Sequence, residues 1–310
     1  MRVVTLNGIG TPTTDIGVPY AGTVYYLGGT ILNYQNGHAY VMDELCCYTG
    51  THPNYVFKCV SPFSSNTGTD PLPINDASHF KLVGTSDADA EFDDLVGTYS
   101  QRVTSHTVTI DSSNSNYVAL FGLDAVSVTF NLKVSGVTKK TETINLTGSV
   151  TESSWWAYYF EDIRRDTQIK WEYPKYTSST LTITTTTFAG SLVKCGTLRW
   201  GSVTGTVAAV QKGASSKLID WSVKGDTYAR DSGPSANNID VSFWVERSRY
   251  DHVSRLFASL VGTVSIIDCN DVDDVDPIDN LIVYGIVGDF TKVFEYKNIC
   301  KCNLSLKGVA

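Results

Sequence analysis

The stretch "VSVTFNLKV", residues 126–134, sets Val126, Val128, Phe130, Leu132 and Val134 in strict alternation with Ser127, Thr129, Asn131 and Lys133. A period of two puts the first set on one face of a strand and the second on the other, so the segment reads as half-buried antiparallel β. The period returns in "KKTETINLTG" and "STLTITTTTFAG", with turns expected at Gly122, Gly136, Gly148 and Gly190. From 99 to 200 the expectation is an antiparallel β-sandwich, jelly-roll-like, with one wet face per sheet.

Composition extends that reading to the whole chain. Of 310 residues, 42% are hydrophobic and 18% charged, with Thr, Ser, Val, Gly, Asn and Tyr plentiful. This balance suits pleated surfaces better than helices, so the fold class expected is mainly β. Residues 1–62 read as a small N-terminal β module, with an Asn-Gly hairpin at Gln35-Asn36-Gly37. Residues 63–98, rich in Ser, Pro, Asp and Gly, read as a connector.

Residues 201–310 differ in kind. "NNIDVSFWVERS" turns Ile239, Val241, Phe243 and Val245 inward, and a helix is expected over 249–261. Ser248 would be its N-cap, Asp251 would complete a variant capping box, and Val253, Leu256, Phe257 and Leu260 form its apolar face. Gly262 stops it, and the strands "NLIVYGIVGDF" and "KVFEYKNICKCNLSLKG" follow. The C-terminal domain is therefore expected to be a β-sandwich or sheet with one flanking α-helix.

Charge and chemistry narrow the function. A net charge of −8 argues against nucleic-acid recognition. No secretory signal or run of about 18 apolar residues occurs, so synthesis in a cytoplasm without membrane insertion is expected. The sequons at Asn145 and Asn303 then carry no weight. Seven cysteines lack zinc-site spacing and read mostly as small buried hydrophobes.

Hydrolase and phosphate-binding motifs are missing, and the five histidines are scattered, none at ligand spacing from a Cys or carboxylate. The Asp-rich stretch 268–279 lacks the Gly and the distal Glu of a calcium loop and reads as a solvated acidic loop; "SDADAEFDD", 86–94, is weaker still. Glu161 and Asp162 would face opposite sides of a strand, the wrong geometry for a glycosidase pair. No enzyme, cofactor or metal is expected. In "SSWWAYYFEDIRR", 153–165, Trp155, Trp156, Tyr158, Tyr159 and Phe160 read as core rather than sugar platform, because alternate rings on a strand must point inward.

Six segments in order carry a resemblance: an aromatic run with an acidic end and a strand with Tyr-Pro, both in "SSWWAYYFEDIRRDTQIKWEYPKYTSSTLTIT", a Gly-rich strand, "GTLRWGSVTGTV", an Asp-Trp-Ser strand, "SKLIDWSVKGDTYARD", a strand-helix unit, "SFWVERSRYDHVSRLFASL", and a closing hairpin, "LIVYGIVGDFTKVFEYKNICKCNLSLKG". From about 99 to 310 the chain resembles a family of tailed-bacteriophage tail proteins, in which a jelly-roll sandwich precedes a domain of the tail-tube type. The resemblance implies a virion protein of the tail tip or baseplate hub, made in the host cytoplasm. Its implied partners are copies of itself in a ring and other tail proteins.

The N-terminal segment is separately similar to small carbohydrate-binding modules through Tyr26, Gly28, Ile31, Tyr34, Gly37 and Tyr40, without their usual Trp. That similarity makes Tyr26, Tyr34, His38 and Tyr40 the candidate contacts for a host-surface glycan. A carbohydrate-binding adhesion protein is the alternative function; a glycan hydrolase ranks last, since no acid/base pair can be named.

Overall fold

In the computed structural model the described residues are 2–6, 13–14, 23–26, 29–36, 38–49, 54–62, 72–87, 89–93, 98–146, 168–206, 209–216, 222–224, 227–229, 237–269, 282–293 and 299–308. The protein is mainly β, with several sheets and, among the described residues, one α-helix. That helix is too short to cross a membrane. Two compact units are formed, one from Met1–Asn7, Ser115–Tyr117 and Trp200–Ala310, the other from Gly8–Asn114 and Val118–Arg199.

In the second unit the alternating stretch forms strand Ser127–Val134 in a sheet ordered Val137–Asn145, Ser127–Val134, Thr180–Thr186, Ser105–Asp111, Thr13–Thr14. Val128, Phe130, Leu132, Leu181, Ile183, Val108 and Ile110 are all buried on its inner face, as the period of two requires. Trp171, from strand Gln168–Glu172, stacks on Phe130 at 4.9 Å. The outer face is a field of hydroxyls that bond in register across strands: Thr107 with Thr184 and Thr109 with Thr182, both 3.2 Å, and Thr129 with Thr143 at 2.9 Å. Such pairs let a wet face keep its side chains ordered. Ser135 and Gly136, at φ 50° and 79°, join the first two strands by the tight turn whose twist matches a hairpin.

Among the described residues, the first unit holds most of a nine-stranded sheet, in which Thr197–Thr206, Arg2–Leu6, Val264–Asp268, Ile282–Val293, Ile299–Gly308, Asn237–Glu246 and Ala209–Ser216 follow one another. The N-terminal strand thus pairs with Thr197–Thr206 and Val264–Asp268, both distant from it in sequence. Strand Val264–Asp268 falls between the helix and the acidic stretch and escapes the periodicity because Val-Ser-Ile-Ile-Asp does not alternate, its last four residues all being buried.

The helix spans Tyr250–Leu260, and Val253, Phe257 and Leu260 enter a core with Val241, Phe243, Val245, Cys300, Cys302 and Leu304. Its start differs from expectation. A 3₁₀ turn at Arg247–Arg249 precedes it, Arg249 takes the N-cap position, and no side chain caps it. Ser248 lies inside that turn, exposed, so the Ser248–Asp251 capping box does not form. Gly262, at φ 78°, ends the helix as expected.

Candidate functional site

The small sheet of the second unit is ordered Thr23–Tyr26, Gly29–Asn33, Leu45–Tyr48, Tyr55–Cys59, Phe80–Thr85. Its last strand comes from within the stretch that reads as connector. The chain turns at Asn36, with His38 N–H donating to Gln35 O at 3.3 Å, but the strands on either side do not pair as a hairpin. Gly29–Asn33 and Leu45–Tyr48 run parallel, so the chain between them must cross over rather than fold straight back.

That crossover places the aromatic rings. Cys46, Phe57, Cys59 and Phe80 are buried on one face of the sheet, and Tyr40 closes over them, only 3% exposed. Tyr34 stacks on Tyr40 at 5.6 Å with ring planes 3° apart, and Phe80 meets Tyr40 edge-on at 5.3 Å. The Gln35 N–H donates to the Tyr40 hydroxyl at 2.8 Å. Burial pushes the Tyr40 phenol well above its ordinary value, against the opposing pull of the Gln35 backbone and with help from Cys46, Tyr34 and Glu44.

His38 packs edge-on against Tyr40 at 4.6 Å, and its Nε2 meets Glu44 Oε1 at 2.8 Å. The other oxygen of Glu44 accepts the Val41 N–H at 2.9 Å. Of the four sequence candidates, then, Tyr40 belongs to the core and offers no ring face to a sugar. His38 and Tyr34 are half-buried, and Tyr26 ends strand Thr23–Tyr26, its side chain outside the described residues.

The register adds two residues that the sequence did not single out. Asn33 lies opposite Cys47 and the Tyr34 N–H donates to Cys47 O at 2.7 Å, so Tyr34 stands beside Tyr48, which in turn pairs with Tyr55. Tyr34, Tyr48 and Tyr55 form one cross-strand row, each half-buried against the core. Half-exposed phenol rings in a row can stack on apolar ring faces and hydrogen-bond at their tips. Only knowledge of the parallel pairing could have revealed the row.

Other sequence candidates fare differently. The aromatic run 153–165, with Glu161 and Asp162, lies outside the described residues, as does the acidic stretch 268–279 apart from Asp268, buried at a strand end, and Cys269, buried beside it. Three histidines do meet carboxylates through folding: His38 with Glu44, His79 with Asp76 at 2.7 Å, and His106 with Glu91 at 3.1 Å. No group of three or more metal-ligating side chains occurs among the described residues. All seven cysteines are buried and none forms a disulfide. Comparison with protein-family models, with curated proteins and with solved structures returns no match.

Proposed function

We propose that this chain is a non-enzymatic structural subunit of a bacteriophage tail, assembled in a ring with copies of itself at the tail tip or baseplate hub. The tail assignment rests on the six ordered segments described above. The observation that best supports assembly is the sheet of the first unit. Strands of ten and twelve residues, Asn237–Glu246, Ile299–Gly308 and Ile282–Val293, carry one helix, and among the described residues the sheet ends at the outer strand Ala209–Ser216. An outer strand offers its backbone donors and acceptors to a neighbour, and identical subunits joined head to tail close into a ring when the rotation allows.

One edge of the sandwich sheet, by contrast, is guarded. Strand Val137–Asn145 turns Lys140 and Glu142 toward the side where its neighbours carry Leu132 and Phe130, and inward charges on an edge strand discourage pairing. Light scattering on the purified chain, with negative-stain images, tests the reading. Particles of one defined ring size are expected; a protein that stays monomeric over the whole accessible concentration range overturns it.

A second reading, host-surface adhesion through a glycan, is favoured by the tyrosine row of the small sheet. It predicts retention on a glycan array that Tyr48→Ala and Tyr55→Ala abolish while circular dichroism shows both variants still folded at the assay temperature.

A further inference from the structure

The segment Ser86–Asp93 is acidic, yet every residue described in it is buried: Ser86, Asp87, Asp89, Ala90, Glu91, Phe92 and Asp93. Burying four carboxylates in eight positions is costly unless each finds donors. Partners for Asp89, Asp93 and one oxygen of Glu91 come from two directions.

Toward the small sheet, Asn54 exchanges two bonds with the segment. Its N–H donates to Asp89 Oδ2 at 3.1 Å, and its carbonyl accepts the Ser86 N–H at 2.9 Å. The Thr85 hydroxyl donates to Asp93. Asp89 also lies close enough to Cys47 that its charge, after burial, helps push that thiol up to about 12.

Toward the rest of the unit, His106 Nε2, on the sandwich strand Ser105–Asp111, meets Glu91 Oε2 at 3.1 Å, and the Leu198 N–H, at the start of strand Thr197–Thr206, donates to Glu91 O at 2.8 Å. The buried Arg199 guanidinium donates to the carbonyls of Glu91, at 3.3 Å, and Asp93, while also reaching Leu198 O at 2.9 Å. Cys195, beside Glu91, is held far above its ordinary value by burial first and by that carboxylate second.

We infer that Ser86–Asp93 is a two-sided clamp, pinned by Arg199, that makes the small sheet and the sandwich open and unfold as one body. A sheet tethered by a flexible linker would present its tyrosine row at any angle. A clamped sheet presents it at one angle and passes any load on it into the sandwich. The arrangement stands whether the row meets a glycan or a neighbouring subunit, so its failure and the failure of either functional reading are distinguishable.

Hydrogen exchange on the full chain in a urea series, read separately for peptides of Leu45–Cys59 and Ser127–Asn145, tests this. In the native sequence both regions should lose protection at the same midpoint. Arg199→Lys keeps the charge but loses the fork; peptides of the small sheet should then exchange about tenfold faster or more, with those of the sandwich unchanged. Asp89→Asn, which acts from the other side of the clamp, should produce the same split. Separate midpoints in the native protein, or equal acceleration of both regions in the two variants, would overturn the clamp.

Discussion

The indole N–H of Trp171 donates to the carboxylate of Glu142 at 2.7 Å, across the edge of the sandwich. That bond, ahead of the opposing effect of burial and the help of Lys140, holds Glu142 below its ordinary value. A depressed carboxylate contributes stability above its unfolded value and loses it as the pH falls through the folded one. The Trp171 indole N–H resonance should therefore titrate with a midpoint below the usual glutamate value of about 4.3. Glu142→Gln should abolish the titration, and a midpoint at or above the ordinary value refutes the linkage.

The helix of the first unit separates two sources of stability. Phe257 is fully buried, 4.9 Å from Phe290 and 5.8 Å from Phe243. Phe257→Ala should cost about 3–5 kcal/mol in urea unfolding. Ser248→Ala should cost almost nothing, whereas a working N-cap would lose about 1 kcal/mol. A clear loss at Ser248 would restore the capping box.

What the sequence shows and what it hides follow from the range of the interactions. Period-two alternation at Val128, Phe130 and Leu132 and the i, i+3, i+4, i+7 stripe at Val253, Leu256, Phe257 and Leu260 are local, and both place their residues inside as read. Ser248 misleads because a capping signal is a preference that a preceding 3₁₀ turn overrides. Pairing is non-local. Nothing in Tyr34, Tyr48 and Tyr55 as letters says that a parallel crossover aligns them, and nothing in "SDADAEFDD" says that Arg199, more than a hundred positions later, comes to bury it.

Two glycines test close approach against backbone conformation. A Cβ on Gly196 would stand 2.7 Å from Phe121 O and 3.2 Å from Gly122 Cα, both backbone atoms that cannot swing away. Gly196→Ala should cost about 1–3 kcal/mol through overpacking. A Cβ on Gly136 meets nothing within 4 Å, but the residue sits at φ 79°. Gly136→Ala should therefore cost only its left-handed strain, about 1 kcal/mol, and chemical denaturation of the two variants should rank them in that order.

Thiol chemistry reads burial directly. Burial, before any neighbouring charge, lifts Cys46, Cys47 and Cys302 to about 12, and it holds Cys195 well above its ordinary value. At pH 8 their thiolate fraction is negligible and solvent does not reach them. Ellman's reagent should find no reactive cysteine in the native protein and seven after denaturation. Fast native reaction at any of the seven would show that its sheet opens.

Tyr40→Phe distinguishes a core ring from a sugar platform. The ring would keep its stack on Tyr34 and its edge contact with Phe80, but the Gln35 N–H would lose the hydroxyl it donates to. One hydrogen bond at a half-buried donor is worth about 0.5–1.5 kcal/mol, so a loss of that size is expected in thermal unfolding. Any glycan retention carried by the Tyr34, Tyr48 and Tyr55 row should survive, because Tyr40 lies beneath that surface with its ring covered. If the variant instead melts like the native protein and loses retention, Tyr40 touches the ligand and the row must be redrawn around it.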